Sequence, residues 1–337
     1  MAKVPDVRVV SPAATGLRVM TVASSVTLRT LNRPSNHTSA LTGEELSSRK
    51  VSAVVAMILR HRLFDVLDAV PPAVQRWHED VEHVHALRVA TRRASSALKA
   101  FGDLLPPRKA KRLRKELSQL RKAAGEARDL DVLYMRLERD TSSLSEKRRV
   151  QLLKFIARRR VKAQNALVNA RTRLQDIKLP RQIKRLLKRV RWRAKQPEPT
   201  YRTAIDGMVE CAAAIFLTEI ERDIHSVDKI HELRIHAKQL RYVLDLEVDT
   251  IRKHQHLYRA IKQLQNRLGD LNDHDVARLR LLSWSKQANS GERQRMFKSV
   301  SQRCKRAAKQ EIKKFRQRWP QEQQELRALL LDCNRSV

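Results

Sequence analysis

The run His85-Ala-Leu-Arg-Val-Ala-Thr-Arg-Arg93 returns 146 residues later as His231-Glu-Leu-Arg-Ile-His-Ala-Lys-Gln239. At about 100° per residue on an α-helix, His85, Arg88 and Arg92 fall within roughly 60° of one another. Leu87, Ala90, Ala94, Leu98 and Phe101 gather on the opposite side. The second copy repeats this: His231, Arg234, Lys238 and Arg241 share one stripe, and Leu233, Leu240 and Leu244 another. Each copy therefore reads as a helix with one packed side and one narrow cationic side. Surface helices usually mix signs of charge. These stripes carry no acid, the pattern of a site for something negatively charged.

A second pair of landmarks follows. Gly125-Glu-Ala-Arg-Asp129-Leu-Asp131-Val132 and Gly269-Asp-Leu-Asn-Asp273-His-Asp275-Val276 agree at the glycine, the acid after it, both aspartates and the valine. From histidine to glycine is 40 residues in the first copy and 38 in the second. The pattern predicts helices over 44–69, 79–102, 108–124 and 145–177, then 201–225, 228–248, 251–268, 272–288 and 291–331. Pro71-Pro72 is expected to end the first helix, and each glycine landmark to break and restart one. The last helix is expected to bend near Pro320. Gln196-Pro-Glu-Pro199 reads as a linker. The expected fold is all-α: two four-helix bundles, 43–195 and 201–330, joined by 196–200 and related by an internal pseudo-two-fold repeat. Residues 1–42 show no helical period and read as a disordered tail. A targeting segment or a true start at Met20 are the alternatives, and there is no secretory apolar core.

Composition narrows the function. Seven glycines and 4% aromatics disfavour a β-rich fold, and abundant Leu, Ala, Arg, Lys, Glu and Gln favour helix. Lys plus Arg number 71 against 36 acids, a formal net charge of +35 that favours a polyanionic partner. Cys211, Cys304 and Cys333 show no paired spacing, which implies a reducing compartment and no structural metal. No apolar run approaches the roughly 18 residues of a membrane span, so no membrane partner is expected. The late segments of both halves are also strongly basic: 19 Lys/Arg against 2 acids over 146–195, and 11 against 2 over 291–319. Arg158 with Lys162, and Lys305 with Lys309, sit one turn apart there and join the candidate anion-binding set. A solvated face is the alternative for any one of them. Arg60 and Arg62, on the early helix and unmarked by the duplication, are expected to matter much less.

The two landmarks together resemble those of the CHAD family, named for conserved histidines in an α-helical domain. The runs at 85–93 and 127–132 fit its pattern closely, and 231–238 with 269–276 fit more loosely. The resemblance spans roughly 44–330. It implies two helical bundles facing a basic cavity that binds inorganic polyphosphate, with His85, Arg88, Arg92, Arg93, His231, Arg234 and Lys238 lining it. It also points to a cytoplasmic protein, with polyphosphate granules as one location. The second copy departs at Gln239, opposite Arg93, where Arg241 is placed to compensate one turn on. It departs again at Asn272, opposite Arg128.

The residues support an anion reading without the family. Arginine presents a planar fork for phosphate oxygens, and lysine a mobile point charge. Single-stranded nucleic-acid binders interleave aromatics for base stacking, which four Trp, four Tyr and six Phe hardly allow. Duplex binding through phosphates stays open, so nucleic acid is the rival partner. His85 and His231 could donate hydrogen bonds to phosphate. Asp129, Asp131, Asp273 and Asp275 are read as helix caps or as ion-pair partners that orient arginines. The alternative, metal ligands of a phosphohydrolase, would want convergent histidines as well. His83, His236, His254 and His256 lack counterparts and read as surface or packing residues. No phosphate loop, nucleophile elbow or Glu-x-Glu-x-Lys motif is present. The expectation is a non-catalytic binding module without cofactor.

Overall fold

A computed structural model describes residues 43–139, 144–224, 226–248 and 253–335. The expectation for residues 1–42 lies outside them. Among the described residues there are ten α-helices and no strand: α1 (Gly43–Ser48), α2 (Val51–Gln75), α3 (Glu82–Ala100), α4 (Pro107–Arg139), α5 (Glu146–Asp176), α6 (Leu179–Leu187), α7 (Tyr201–Ile220), α8 (Val227–Val248), α9 (Gln255–Lys286) and α10 (Gly291–Arg335). The described residues form one compact unit.

Three expected helix ends are absent. Helix α2 continues through Pro71 and Pro72 to Gln75. Proline inside a helix costs about 3 kcal/mol. Here both prolines fall in the last turns, where Val70 and Ala73 are buried and hold the backbone in place. Helix α4 runs unbroken through Gly125, and α9 through Gly269. A helical glycine costs only about 1 kcal/mol. Burial of Leu120, Ala124, Ala127 and Leu130 in α4, and of Leu264, Leu268 and Leu271 in α9, overrides that cost. Helix α10 likewise continues through Pro320, between buried Trp319 and Leu326.

The helix contacts follow the same cycle in each half. Helix α2 packs on α3, α3 on α4, α4 on α5, and α5 on α2. Helix α7 packs on α8, α8 on α9, α9 on α10, and α10 on α7. The apolar clusters do not divide at the linker, however. Tyr201 and Ile205 of α7 belong to the first cluster, as do Leu281 and Trp284 of α9 and Phe297 of α10. Phe155 of α5 meets Trp284 and Phe297 at centroid distances of 5.1 and 5.0 Å, so aromatic packing joins the halves. The second cluster starts at Val209 and draws on α7, α8, α9 and the far end of α10.

The linker is a fixed joint. Ser52 N–H donates to Glu198 Oε1 at 2.8 Å, Val51 N–H to the Pro199 carbonyl at 3.1 Å, and Tyr201 N–H to the Arg49 carbonyl at 2.8 Å. The Thr200 hydroxyl accepts from Thr203 N–H and caps α7.

Candidate functional site

Helices α3 and α8 pack against one another, which brings the two cationic stripes together. Lys238 lies at their meeting. Its ammonium is pushed down to about 8, first by burial and then by Arg234, Arg92, Arg241 and Arg88. Two of these arginines come from each half. Burial also pushes down the guanidiniums of Arg92 and Arg234; Arg241 adds to the effect at Arg92, and Asp273 opposes it at Arg234. The Nε atoms of Arg92 and Arg234 are buried with no hydrogen-bond partner among the described residues. Each such orphaned donor costs about 1–3 kcal/mol, a cost an arriving acceptor relieves. Arg92 and Arg241 both lie over the Tyr242 ring, at 5.8 and 5.2 Å from its centroid.

Arg93 and Arg241, read as ligands from sequence, are engaged by a residue that sequence reasoning missed. Asp245 of α8 is 2% exposed. Its carboxylate lies 3.3 Å from Arg93 Nε and 4.0 Å from Arg241 Nη1, and it accepts from the Tyr258 hydroxyl at 3.0 Å. Burial pushes this carboxyl up, but Arg93, Arg62 and Arg241 outweigh it and hold it below the usual range. Arg241 Nε also donates to Gln265 Oε1. Arg62 is no bystander. It is buried and donates to the Asp245 carbonyl at 3.0 Å and to the Arg93 carbonyl at 3.4 Å, so it ties α3 to α8.

The two histidines sit in different surroundings. His85 is partly buried, and burial, then Arg128, push its imidazole down while Glu82 opposes. Arg128 Nη1 lies 3.7 Å from Glu82 Oε1. His231 is exposed. The residue matching Arg128 is Asn272, so the second histidine has no guanidinium at that place.

A narrow cleft forms where α4 and α9 face each other. It is lined in matched pairs: Asp129 with Asp273, Val132 with Val276, Leu133 with Ala277, and Arg136 with Arg280. Asp129 pairs across it with Arg280 at 3.4 Å. Burial raises the Asp129 carboxyl despite Arg280 and Arg88. Asp131 is buried and pairs with Arg160 Nε of α5 at 2.7 Å. Its counterpart Asp275 is half exposed and pairs within its own helix, with Arg278 at 2.8 Å. All four aspartates lie inside continuous helices, so none is an N-cap. Among the described residues no group of three or more His, Cys, Asp or Glu is placed to hold one metal ion.

The late-helix cations face solvent. Arg158, Lys162 and Lys305 are exposed, whereas Arg160 turns onto Asp131, Trp77 and Tyr134, and Arg159 onto Phe155 and Trp284. Lys309 lines an open groove with Val227, Lys313 and Arg316.

These features define an all-α domain whose two halves meet along a cationic seam. The chain matches the family model described as the CHAD domain over residues 58–282 and belongs to that family. Its structure is similar to the crystal structure of the CHAD domain from the plant Ricinus communis, with 21% identity, a TM-score of 0.62, and coverage of 84% of this chain and 92% of that one. It is also similar to PptA from Streptomyces chartreusis, with 17% identity, a TM-score of 0.55, and coverage of 82% and 99%. At these identities the likeness is one of fold. Comparison with curated proteins gave no match.

Proposed function

We propose that this chain binds inorganic polyphosphate in the seam between α3 and α8, without making or breaking a bond. The observation that carries the reading is Lys238 set among Arg88, Arg92, Arg234 and Arg241, with the buried Nε donors of Arg92 and Arg234 lacking partners. Family membership supports it. We read the halves as two bundles, 43–195 and 201–330, each supplying one wall; the matched contact cycles and the paired cleft support that division.

The chemistry follows from the side chains. Arg88, Arg92 and Arg234 offer forks to successive phosphates, and Lys238 adds a point charge between them. His85 donates a hydrogen bond, more strongly once an anion favours its protonated form. The aspartates act on the arginines rather than on the ligand. Asp245 fixes Arg93 and Arg241, and Asp129 fixes Arg280. A ligand of phosphates alone suits a site whose Tyr242 ring is already covered by Arg92 and Arg241.

The test is a titration with polyphosphate of defined length, followed by incubation with Mg²⁺ or Mn²⁺ and a phosphate assay. Saturable binding without phosphate release is expected. Log affinity should fall linearly with log salt, by the counterion release known for nucleic acids. Phosphate release would make the protein a hydrolase. Equal displacement by nucleic acid at matched phosphate would make it a general polyanion binder.

A further inference from the structure

A second cationic surface lies away from the seam. Six of the eight residues from 108 to 115 are Lys or Arg. The stretch 178–195 holds nine more and no acid. These belong together in space. Helix α6 packs on α4, and Arg191 N–H donates to the Leu104 carbonyl just before α4 at 3.2 Å. All nine residues of the second stretch are exposed, and none forms an ion pair among the described residues. The one acid in 107–122, Glu116, is buried and already bound by Arg173 at 2.8 Å. So among the described residues no ion pair neutralises the stretch 178–195.

Its position separates it from the seam. Arg112 and Arg128 both lie on α4, sixteen residues apart, about 24 Å at roughly 1.5 Å per residue, and Arg128 acts on the seam residue His85. Its chemistry is phosphate-like recognition with no base readout. The nearby Trp192 has its indole N–H donated to the Gln196 carbonyl at 2.7 Å. The apolar residues of α6, Leu179, Ile183 and Leu186, are buried in the protein, so the helix has no apolar face left for a lipid surface.

We propose that this surface is a second site for long polyphosphate. One long chain is held at two places, and one protein molecule can join two chains. The proposal rests on the seam reading above. Linking two sites through one polymer raises avidity by about 10²–10⁴ over either alone, and only for chains long enough to reach.

The experiment compares two ligands: a short linear polyphosphate that cannot span about 24 Å, and a long one. Three proteins are used: the full chain, its Arg181→Glu/Lys184→Glu/Arg185→Glu variant, and its Arg88→Ala/Arg234→Ala variant. Circular dichroism checks each fold, and an alanine version of the triple variant replaces it if the glutamates unfold it. The triple variant should bind the short chain within about twofold of the parent and the long chain at least about tenfold more weakly. Light scattering from parent protein mixed with long chains should be lost in it. Unchanged long-chain affinity would overturn the proposal, as would equal loss for both lengths. If the Arg88/Arg234 variant binds like the parent, the seam reading falls and takes the two-site claim with it. Duplex DNA displacing the long chain equally at matched phosphate would make the surface a nucleic-acid site instead.

Discussion

Arg93 of α3 and Asp245 of α8 form an ion pair at 3.3 Å that joins the two halves of the chain. Asp245 is the buried counter-charge for Arg93, Arg241 and the Arg62 chain that bonds its carbonyl. Breaking a buried pair from one side costs about 3–5 kcal/mol, because the remaining charges are left uncompensated. Asp245→Asn should therefore lower the unfolding midpoint in urea far more than Asp275→Asn, whose carboxylate is half exposed and pairs within its own helix. Equal midpoints would show that the junction does not depend on this carboxylate. The acid limb of stability should carry the same signature. The folded carboxyl sits below its ordinary range. Its contribution is complete above the unfolded carboxylate range and disappears as pH falls through the folded value.

The glycines of the matched landmarks should respond differently. A Cβ at Gly125 would lie 2.9 Å from Arg88 Nη1, while one at Gly269 meets nothing within 4 Å. Both substitutions to alanine should gain about 0.5–1 kcal/mol of helix stability. The Arg88 tip can move aside, so Gly125→Ala should keep that gain but displace a seam guanidinium. Polyphosphate titration and thermal melts of the two variants check this. Affinity should drop for Gly125→Ala and hold for Gly269→Ala. The same change in both would remove Arg88 from the site.

Lys238 predicts a pH dependence. Its ammonium titrates at about 8 in the free protein. Below that pH it is already charged. Above it, binding an anion requires taking up a proton, so affinity should fall by up to about tenfold per pH unit from this group. Lys238→Arg should bind almost evenly between pH 7 and 9.5. A parent protein with level affinity over that range would contradict the placement of Lys238. In the free protein the sign reverses. The folded value is below the unfolded one, so the unfolded chain holds a proton that the folded one lacks. Stability from this group rises as pH climbs from about 8 toward the ordinary lysine value.

The all-α class was legible in the residues because composition and the 3.6-residue period agree along most of the chain. The stripes were legible because His85, Arg88 and Arg92, and His231, Arg234 and Lys238, repeat one spacing. Other features depend on contacts that a helical period cannot encode. Asp245 has no counterpart in the first half and meets Arg93 across 152 residues of chain. Gly125 reads as a helix breaker, yet the structure uses its missing side chain to admit Arg88. Arg62 is unmarked by the duplication, yet it is buried and bonded to two helices that follow it in the sequence. The spacing of Arg158 and Lys162 marked them as a pair, but nothing in that spacing shows that Arg160 turns onto Asp131.

Replacing Arg88 and Arg234 together by alanine, and titrating with polyphosphate of defined length, tests the account most directly. Arg60 and Arg202, exposed cations of α2 and α7, serve as the control pair. Charge-assisted contacts are worth about 1.5–3 kcal/mol each. The seam variant should keep its helical spectrum and lose on the order of a hundredfold in affinity, or more. The control variant should lose little. Equal losses in the two variants would mean that net charge, and not a seam built from two repeated helices, holds the ligand.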